Sequence, residues 1–289
     1  MPRATVVTDT TAYLPTEVAE ANGIRLVSLY VNFGGQRTER EADIGDYAAF
    51  YEELRSAEQL PTTSQPSVGD FVAVYEPLLA DGGEVVSIHI SGGISGSVGS
   101  AQQAKETLER DGKGGERVHV MDSRTAAGGL GLVVVAAARR ATAGDGAEAV
   151  VEAAASAREQ LKMWFAIDTL EFLRRSGRVG AASAWIGSTL KVKPILSVES
   201  EITPVERVRT SKRAFERMVD YAKLRQVSGA DGWVVQHIQA QEQADRLADR
   251  CREVFDCEAV FCSEIGPVLG CHTGPGLLGV GSIPTRFLA

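Results

Sequence analysis

Short apolar runs alternate with amphipathic segments along the first half of the chain. The apolar runs predict β-strands at Thr5–Val7, Leu26–Phe33, Val85–Ile90 and Val118–Met121. The amphipathic or longer apolar segments predict helices at Val18–Ala21, Tyr47–Leu54, Val68–Leu79, Ala101–Leu108, Ala126–Arg140 and Ala147–Leu161. Strands that alternate with helices are typical of a parallel sheet covered on both faces.

The second half repeats this alternation less regularly. It predicts strands at Trp164–Ile167, Ile195–Val198, Ile202–Val208, Trp233–His237, Ala259–Glu264 and Leu277–Gly281. It predicts helices at Thr169–Arg175, Ala181–Leu190, Ser211–Arg225 and Gln241–Val254. We therefore predict an α/β protein of two domains, with an N-terminal Rossmann-like parallel sheet in residues 1–160 and a second α/β domain in residues 161–289.

Three polar, glycine- or serine-rich turns separate these elements, at Thr62–Ser67, Ser91–Ser97 and Gly270–Gly276. The second follows a predicted strand and opens a helix, where backbone N–H groups favour an anion. Candidate ligand groups are the hydroxyls of Thr63, Ser64, Ser95 and Ser97 and the imidazole of His272. The alternative for the serine hydroxyls is that one of them only caps a helix, and the alternative for His272 is a structural role. None of the turns carries Asp, Glu, Lys or Arg, which favours holding a small anion over reacting with it.

Charge narrows the class of partner. The chain has 289 residues and a formal net charge of −8, which disfavours a general nucleic-acid binder. Between Lys162 and Arg217, eleven Lys and Arg residues face only six Asp and Glu residues. This basic segment is either a solvated face or a surface for an acidic partner or a phosphate.

Cysteine spacing and catalytic motifs exclude several kinds of site. Cys251, Cys257, Cys262 and Cys271 show no metal-binding spacing, so we expect no metal. Their clustering leaves a disulfide open as the alternative to buried free thiols, which we expect together with a reducing, cytoplasmic setting. The sequence lacks an apolar run of membrane-spanning length. It also lacks the nucleophile elbow, the P-loop, the zinc-protease motif and the dinucleotide fingerprint. Two other functions stay open: an acyl-transfer or hydrolytic enzyme that uses Ser95 or Ser64 with His272, and a membrane-surface or regulatory module that uses the basic segment.

Several motifs, in this order, resemble the DegV family of bacterial fatty-acid-binding proteins. They are Val7–Pro15, Thr62–Ser67, Ser91–Ser97, Asp122–Arg124, Leu170–Val179, Lys191–Leu196, Gly266–Val268 and His272–Gly276. They cover nearly the whole chain. Thr10 and Tyr13 stand where the family pattern has serine and aspartate, and Ser176 stands where it often has glycine.

The resemblance implies one long-chain fatty acid buried between two domains. Its carboxylate would meet Thr63, Ser64, Ser95 and His272, with Arg178 nearby. A separate ATP-dependent fatty-acid kinase would phosphorylate the carboxylate, and the acyl phosphate would feed phospholipid synthesis. The chain would then be a non-enzymatic carrier with no cofactor and no nucleotide site of its own.

The basic segment then acquires a specific interpretation. We expect its arginines to dock an acidic kinase surface or to approach anionic membrane headgroups transiently. The residues that we predict to dock the partner are Arg174, Arg175, Arg207 and Arg209.

Overall fold

The computed structural model describes residues 4–35, 37–80, 82–186 and 192–288, which form three β-sheets flanked by helices. The strands are β1 (Ala4–Asp9), β2 (Arg25–Val27), β3 (Tyr30–Phe33), β4 (Arg37–Arg40), β5 (Thr62–Ser64), β6 (Glu84–His89), β7 (Val118–Asp122), β8 (Lys162–Ala166), β9 (Lys193–Glu199), β10 (Glu201–Val208), β11 (Gly232–His237), β12 (Phe261–Glu264) and β13 (Leu278–Ile283). The α-helices are α1 (Thr16–Ala21), α2 (Tyr47–Ser56), α3 (Val68–Ala80), α4 (Ser97–Arg110), α5 (Ala127–Thr142), α6 (Ala147–Gln160), α7 (Glu171–Arg175), α8 (Ser211–Val227), α9 (Gln241–Phe255) and α10 (Pro267–Thr273).

The first sheet is parallel, in the order β2-β1-β6-β7. Its strands carry apolar side chains on both faces. Val6 and Val86 pack into the core that includes α5 and α6, whereas Val7 and Val85 pack into the core that includes α3 and α4. The predicted N-terminal parallel sheet, covered on both faces, is thereby confirmed.

The second sheet has six strands in the order β10-β9-β8-β13-β11-β12. Only β11 and β12 run parallel, and the other neighbours are antiparallel. Helices α8 and α9 cover one face with residues such as Met218 and Leu247. The other face packs against α5, whose residues from Ala127 to Ala138 are all buried. Helix α5 therefore lies between the two large sheets.

Glycine allows that close packing of α5. A Cβ atom on Gly131 would lie 2.6 Å from the ring of Phe261, a distance that real side chains do not adopt. A Cβ atom on Gly128 would likewise lie 2.9 Å from the side chain of Val234 on β11. Replacing Gly131 would push α5 away from β12.

A third sheet, antiparallel and in the order β4-β3-β5, contains the start of the first polar turn. Thr62–Ser64 is strand β5 rather than turn. The prediction of a third polar turn is also wrong in part, because its residues up to Thr273 belong to α10. Gly270 lies inside that helix. Only glycine fits there, because a Cβ atom would overlap Tyr51, with 2.6 Å to its Cε1 atom.

Two further predictions need comment. The helix predicted at Ala181–Leu190 is a 3₁₀ helix at Gly180–Trp185, and positions 187–191 lie outside the described residues. The boundary at residue 160 stays a prediction. Strands β1–β7 end by Asp122 and β8 begins at Lys162, yet α10 packs against α2, β3 and β5.

The four cysteines are free thiols. No helix in the described ranges is both long enough and apolar enough to cross a membrane.

Candidate functional site

A cavity lies between the polar loops of the N-terminal half and the α5 face of the six-stranded sheet. Its empty volume is about 870 Å³, a figure that includes its open mouth. Most of the wall is apolar, with side chains from the six-stranded sheet, from α10 and from segments next to the strands, such as Phe165, Val198, Val268, Leu29, Ile90 and Leu277.

All five residues predicted to bind the ligand line this one cavity. Thr63 and Ser64 come from β5, Ser95 from the loop before α4, and His272 from α10. Arg178 follows α7 and is half-buried. The structure thus brings together side chains from residue 63 to residue 272, and their role as ligand groups stays a prediction.

Thr63 and His272 contact each other directly. The distance between Thr63 Oγ1 and His272 Nε2 is 2.8 Å, and His272 Nδ1 is buried without a partner among the described residues. A buried N–H without a partner is rarer than a buried acceptor without one, so we assign the proton to Nε2. Nε2 then donates to Thr63, and the Thr63 hydroxyl keeps its own proton for another acceptor.

The imidazole of His272 is neutral at physiological pH. Burial, and secondarily the charge of Arg178, lower its pKa to about 4. Arg178 Nη1 donates to the backbone oxygen of Ser176 at 2.7 Å, which tethers the guanidinium beside the cavity. Among the described residues that line the cavity, Arg178 alone carries a formal charge, so an anion there meets one cation and several neutral donors.

The loop from Ser91 to Ser97 is held rigidly. Ser91 Oγ donates to the backbone oxygen of Ser200, in the turn between β9 and β10. A Cβ atom on Gly93 would lie 2.3 Å from that same oxygen, so only glycine permits this approach. Ser95 Oγ lies 3.0 Å from Ser97 Oγ. The loop is thus preorganised by contacts from both halves of the chain.

The described residues of this site include no nucleophile–base pair of the kind that a hydrolytic enzyme needs. His272 contacts Thr63, while Ser95 contacts Ser97. Within the described ranges, neither Ser64 nor Ser95 hydrogen-bonds to His272. General-base activation of a serine needs such a contact.

A buried Ser–His–Asp arrangement exists elsewhere, and sequence reasoning missed it. Ser87 Oγ lies 2.6 Å from His89 Nε2, and His89 Nδ1 lies 3.0 Å from Asp9 Oδ2. All three side chains are fully buried, and none lines the cavity. The network therefore braces β1 against β6. Asp9 at the end of one predicted strand and the alternating Ser87 and His89 on another were the signal that could have revealed it.

Glu41 is a second buried group that the sequence did not reveal. Its carboxylate accepts hydrogen bonds from Val268 N at 2.7 Å and from the hydroxyls of Tyr13 at 2.8 Å and Thr10. Val268 is in the first turn of α10, the helix that carries His272. Burial raises the pKa of Glu41 to about 7. Thr10 and Tyr13, which depart from the family pattern, thus bind the carboxylate that fixes α10.

These two pKa shifts predict opposite pH dependences of stability. The pKa of Glu41 rises from 4.5 to about 7 on folding, so its contribution to the free energy of unfolding falls as the pH rises through that window. The pKa of His272 falls from 6.5 to about 4, so its contribution falls as the pH drops through that window. Each pKa shift, lost in full, lowers the free energy of unfolding by about 3 kcal/mol.

We therefore expect Glu41→Gln to gain stability relative to the wild type as the pH rises from 4.5 to 7, and His272→Gln to gain it as the pH falls from 6.5 to 4. Urea unfolding across this pH range measures both effects. Parallel stability profiles for the two variants would contradict the assigned shifts.

The predicted docking arginines are exposed. Arg174 forms an ion pair with Glu171 at 2.6 Å, and Arg175 lies beside it on α7. The guanidinium of Arg207 on β10 lies 5.2 Å from the ring centre of Trp185. Arg209 follows β10 and points to solvent. The basic segment thus presents two separate exposed pairs, and the pair that includes Arg174 is partly neutralised.

No group of three potential metal-ligating side chains lies together in the part of the chain that the structure describes.

Comparison with known proteins places this site in context. A family model described as an uncharacterised protein of the DegV family matches residues 3–285. A DegV domain-containing protein of Streptomyces coelicolor is 37% identical over 278 residues, which cover 95% of this chain and 96% of the relative.

Two solved structures share the fold. A structure of fatty acid binding by a DegV family protein from Thermus thermophilus aligns with a TM-score of 0.86 and 32% identity, over 98% of this chain and 99% of that one. The structure of DegV from Bacillus subtilis, described as a fatty acid binding protein, aligns with a TM-score of 0.86 and 33% identity, over 98% of this chain and all of the other.

Proposed function

The chain belongs to the DegV family, and on that premise we propose that it binds one long-chain fatty acid in the cavity and acts as a carrier. The observation that carries this proposal is one cavity with an apolar wall and a polar cluster that includes Thr63, Ser95, Arg178 and His272. Each buried methylene contributes about 0.8 kcal/mol, so an acyl chain gains most of its affinity from such a wall. Family members from T. thermophilus and B. subtilis that are described as binding fatty acids support the ligand class.

Neutral donors suit a carboxylate that is later modified. In this proposal the Thr63 hydroxyl, oriented by His272, donates to the carboxylate, with Ser64 and Ser95 beside it and Arg178 supplying the charge. A separate ATP-dependent fatty-acid kinase would then phosphorylate the carboxylate, and the acyl phosphate would enter phospholipid synthesis in the cytoplasm. The chain itself would perform no catalysis and need no cofactor.

Native mass spectrometry of freshly purified protein, followed by lipid extraction, tests the ligand. We expect one fatty acid per chain. Protein that is empty and also fails to bind added palmitate would refute the proposal.

The matched variants Thr63→Val and Thr62→Val test the headgroup site. Thr63 lines the cavity, whereas Thr62 is exposed on the same strand and does not. A hydrogen bond to a charged group contributes about 1.5–3 kcal/mol. We therefore expect Thr63→Val to weaken palmitate binding about tenfold or more and Thr62→Val to leave it unchanged. Equal effects would contradict the assigned headgroup site.

Charge reversal tests the proposed docking surface. We expect Arg207→Glu combined with Arg209→Glu to slow acyl phosphate formation by a fatty-acid kinase about tenfold or more, because complementary charge speeds association. Palmitate binding should stay unchanged, since neither residue lines the cavity. Arg110→Glu on α4 is the control. A double variant that loses ligand binding and kinase coupling equally would rule out a docking role.

A further inference from the structure

Gln236 is a buried polar side chain in the wall that the six-stranded sheet contributes to the cavity. It belongs to β11 and is only 2% exposed, yet it lines the cavity. Its hydrogen-bond partners are Gly128 and Ser263, neither of which belongs to the cluster around Thr63 and His272. These two hydrogen bonds do not use the full capacity of a carboxamide, and burying its unused part in an apolar wall is costly.

Two partners fix the orientation of the Gln236 carboxamide. The Gly128 N–H can only donate, so it identifies Oε1 as its acceptor. Ser263 Oγ donates to the backbone oxygen of Tyr13 at 2.7 Å, so it accepts from Gln236 Nε2 at 2.8 Å. A carboxamide carries two N–H donors and two acceptor lone pairs. Within the described ranges, the second N–H of Gln236 has no partner.

The neighbours of Gln236 across the sheet are a glycine and an aromatic residue. Gln236 pairs with Gly279 across β11 and β13, and Gly279 pairs with Phe165 across β13 and β8. Residues that pair across strands point to the same face. All three residues line the cavity. Gly279 thus leaves no side chain between Gln236 and Phe165, and Phe165 packs closely against it, because an added Cβ atom on Gly279 would lie 3.1 Å from the Cβ atom of Phe165.

We propose that Gln236 forms a polar subsite that selects a fatty acid with a hydroxyl group on its chain. This inference rests on the proposed function. A methylene chain offers nothing to the free N–H of Gln236, whereas a hydroxyl oxygen accepts from it. The hydroxyl proton reaches the second lone pair of Oε1, and the cavity that Gln236 lines admits the chain to this amide.

A series of hydroxystearates, with the hydroxyl moved one carbon at a time, tests the subsite against stearate. A hydroxyl buried without a partner lowers affinity about tenfold or more. We expect that loss at most positions. At one position, or at two neighbouring ones, the hydroxystearate binds as tightly as stearate or more tightly. Displacement of a bound fluorescent fatty acid measures each dissociation constant.

Two variants test whether Gln236 causes the preference for a hydroxyl group at the favoured position. Gln236→Met keeps the length of the side chain and removes both N–H donors, so the favoured position loses about tenfold relative to stearate. Met163→Leu changes the same cavity wall without a polar atom and keeps the favoured position. A favoured position that persists in Gln236→Met would overturn the assignment.

The wild-type series decides the matter even if Gln236→Met fails to fold, since that variant also removes the acceptor of Gly128. An equal loss at every hydroxyl position, with stearate still bound, overturns the subsite alone. Failure to bind stearate and every hydroxystearate overturns the proposed function as well.

Discussion

Ala126→Phe is expected to lower the affinity for palmitate at least about a hundredfold. Ala126 lines the cavity and is 4% exposed, so a phenyl group there would occupy the space of several methylenes. Each excluded methylene costs about 0.8 kcal/mol, and three or four of them give about a hundredfold. Its backbone is extended, with φ −151° and ψ 172°, so phenylalanine adopts it without strain.

The control is Ala155→Phe on the exposed face of α6, which should leave affinity unchanged. Isothermal titration with palmitate measures both variants, and native mass spectrometry shows whether Ala126→Phe purifies without lipid. We expect the empty variant to unfold at a temperature close to that of the empty wild type, because the ring fills existing space. Unchanged palmitate affinity in Ala126→Phe would locate the acyl chain elsewhere.

The sequence predicted the elements that frame the cavity but not the cavity itself. Val68–Leu79 was predicted as a helix, and α3 indeed begins at Val68, where Ser67 Oγ accepts from Asp70 N at 3.1 Å. Such local signals lie within one turn of helix. The apolar run in α5 gives no sign that Ala126 and Ala127 face a void while Ala138 packs in the core.

Helix α10 was missed because its glycines have tertiary causes. Gly266 and Gly270 suggest a turn when the sequence is read locally. In the fold they lie against aromatic rings, since a Cβ atom on Gly266 would lie 2.7 Å from the Tyr47 hydroxyl. Tyr51 also donates to the backbone oxygen of Ile265 at 2.8 Å. The position of His272 therefore depends on contacts across more than 200 residues, which no local pattern encodes.

The five candidate ligand residues reached one cavity in the fold, yet their interactions were not predictable. The hydrogen bond between Thr63 and His272 joins residues 209 positions apart. The excess of positive charge in the basic segment indicated a basic surface. It did not predict the ion pair of Arg174 with Glu171. Charge counting gives the sign of a surface, whereas the pairing depends on rotamers that the fold selects.

The largest expected loss of stability comes from Asp9→Ala. The Asp9 carboxylate is fully buried and accepts from Thr11 N at 3.1 Å, the Thr11 hydroxyl, His89 Nδ1 at 3.0 Å and Ile90 N at 3.0 Å. Removing it leaves several buried donors without an acceptor, each at a cost of about 1–3 kcal/mol. Because those donors share one site and relax together, we expect a total loss of about 3–5 kcal/mol, or about 10 °C in Tm.

Asp122→Ala is the matched control for Asp9→Ala. Asp122 also ends a strand and accepts two backbone N–H bonds, from Gly92 at 3.2 Å and Arg124 at 2.7 Å, but it is half-buried. Water can replace those bonds, so we expect a loss of about 1 kcal/mol. Ile90 lines the cavity directly before the Ser91–Ser97 loop, so Asp9→Ala should also weaken palmitate binding. If thermal unfolding of the two variants were alike, the buried Ser87–His89–Asp9 network would not be what holds β1 and β6 together.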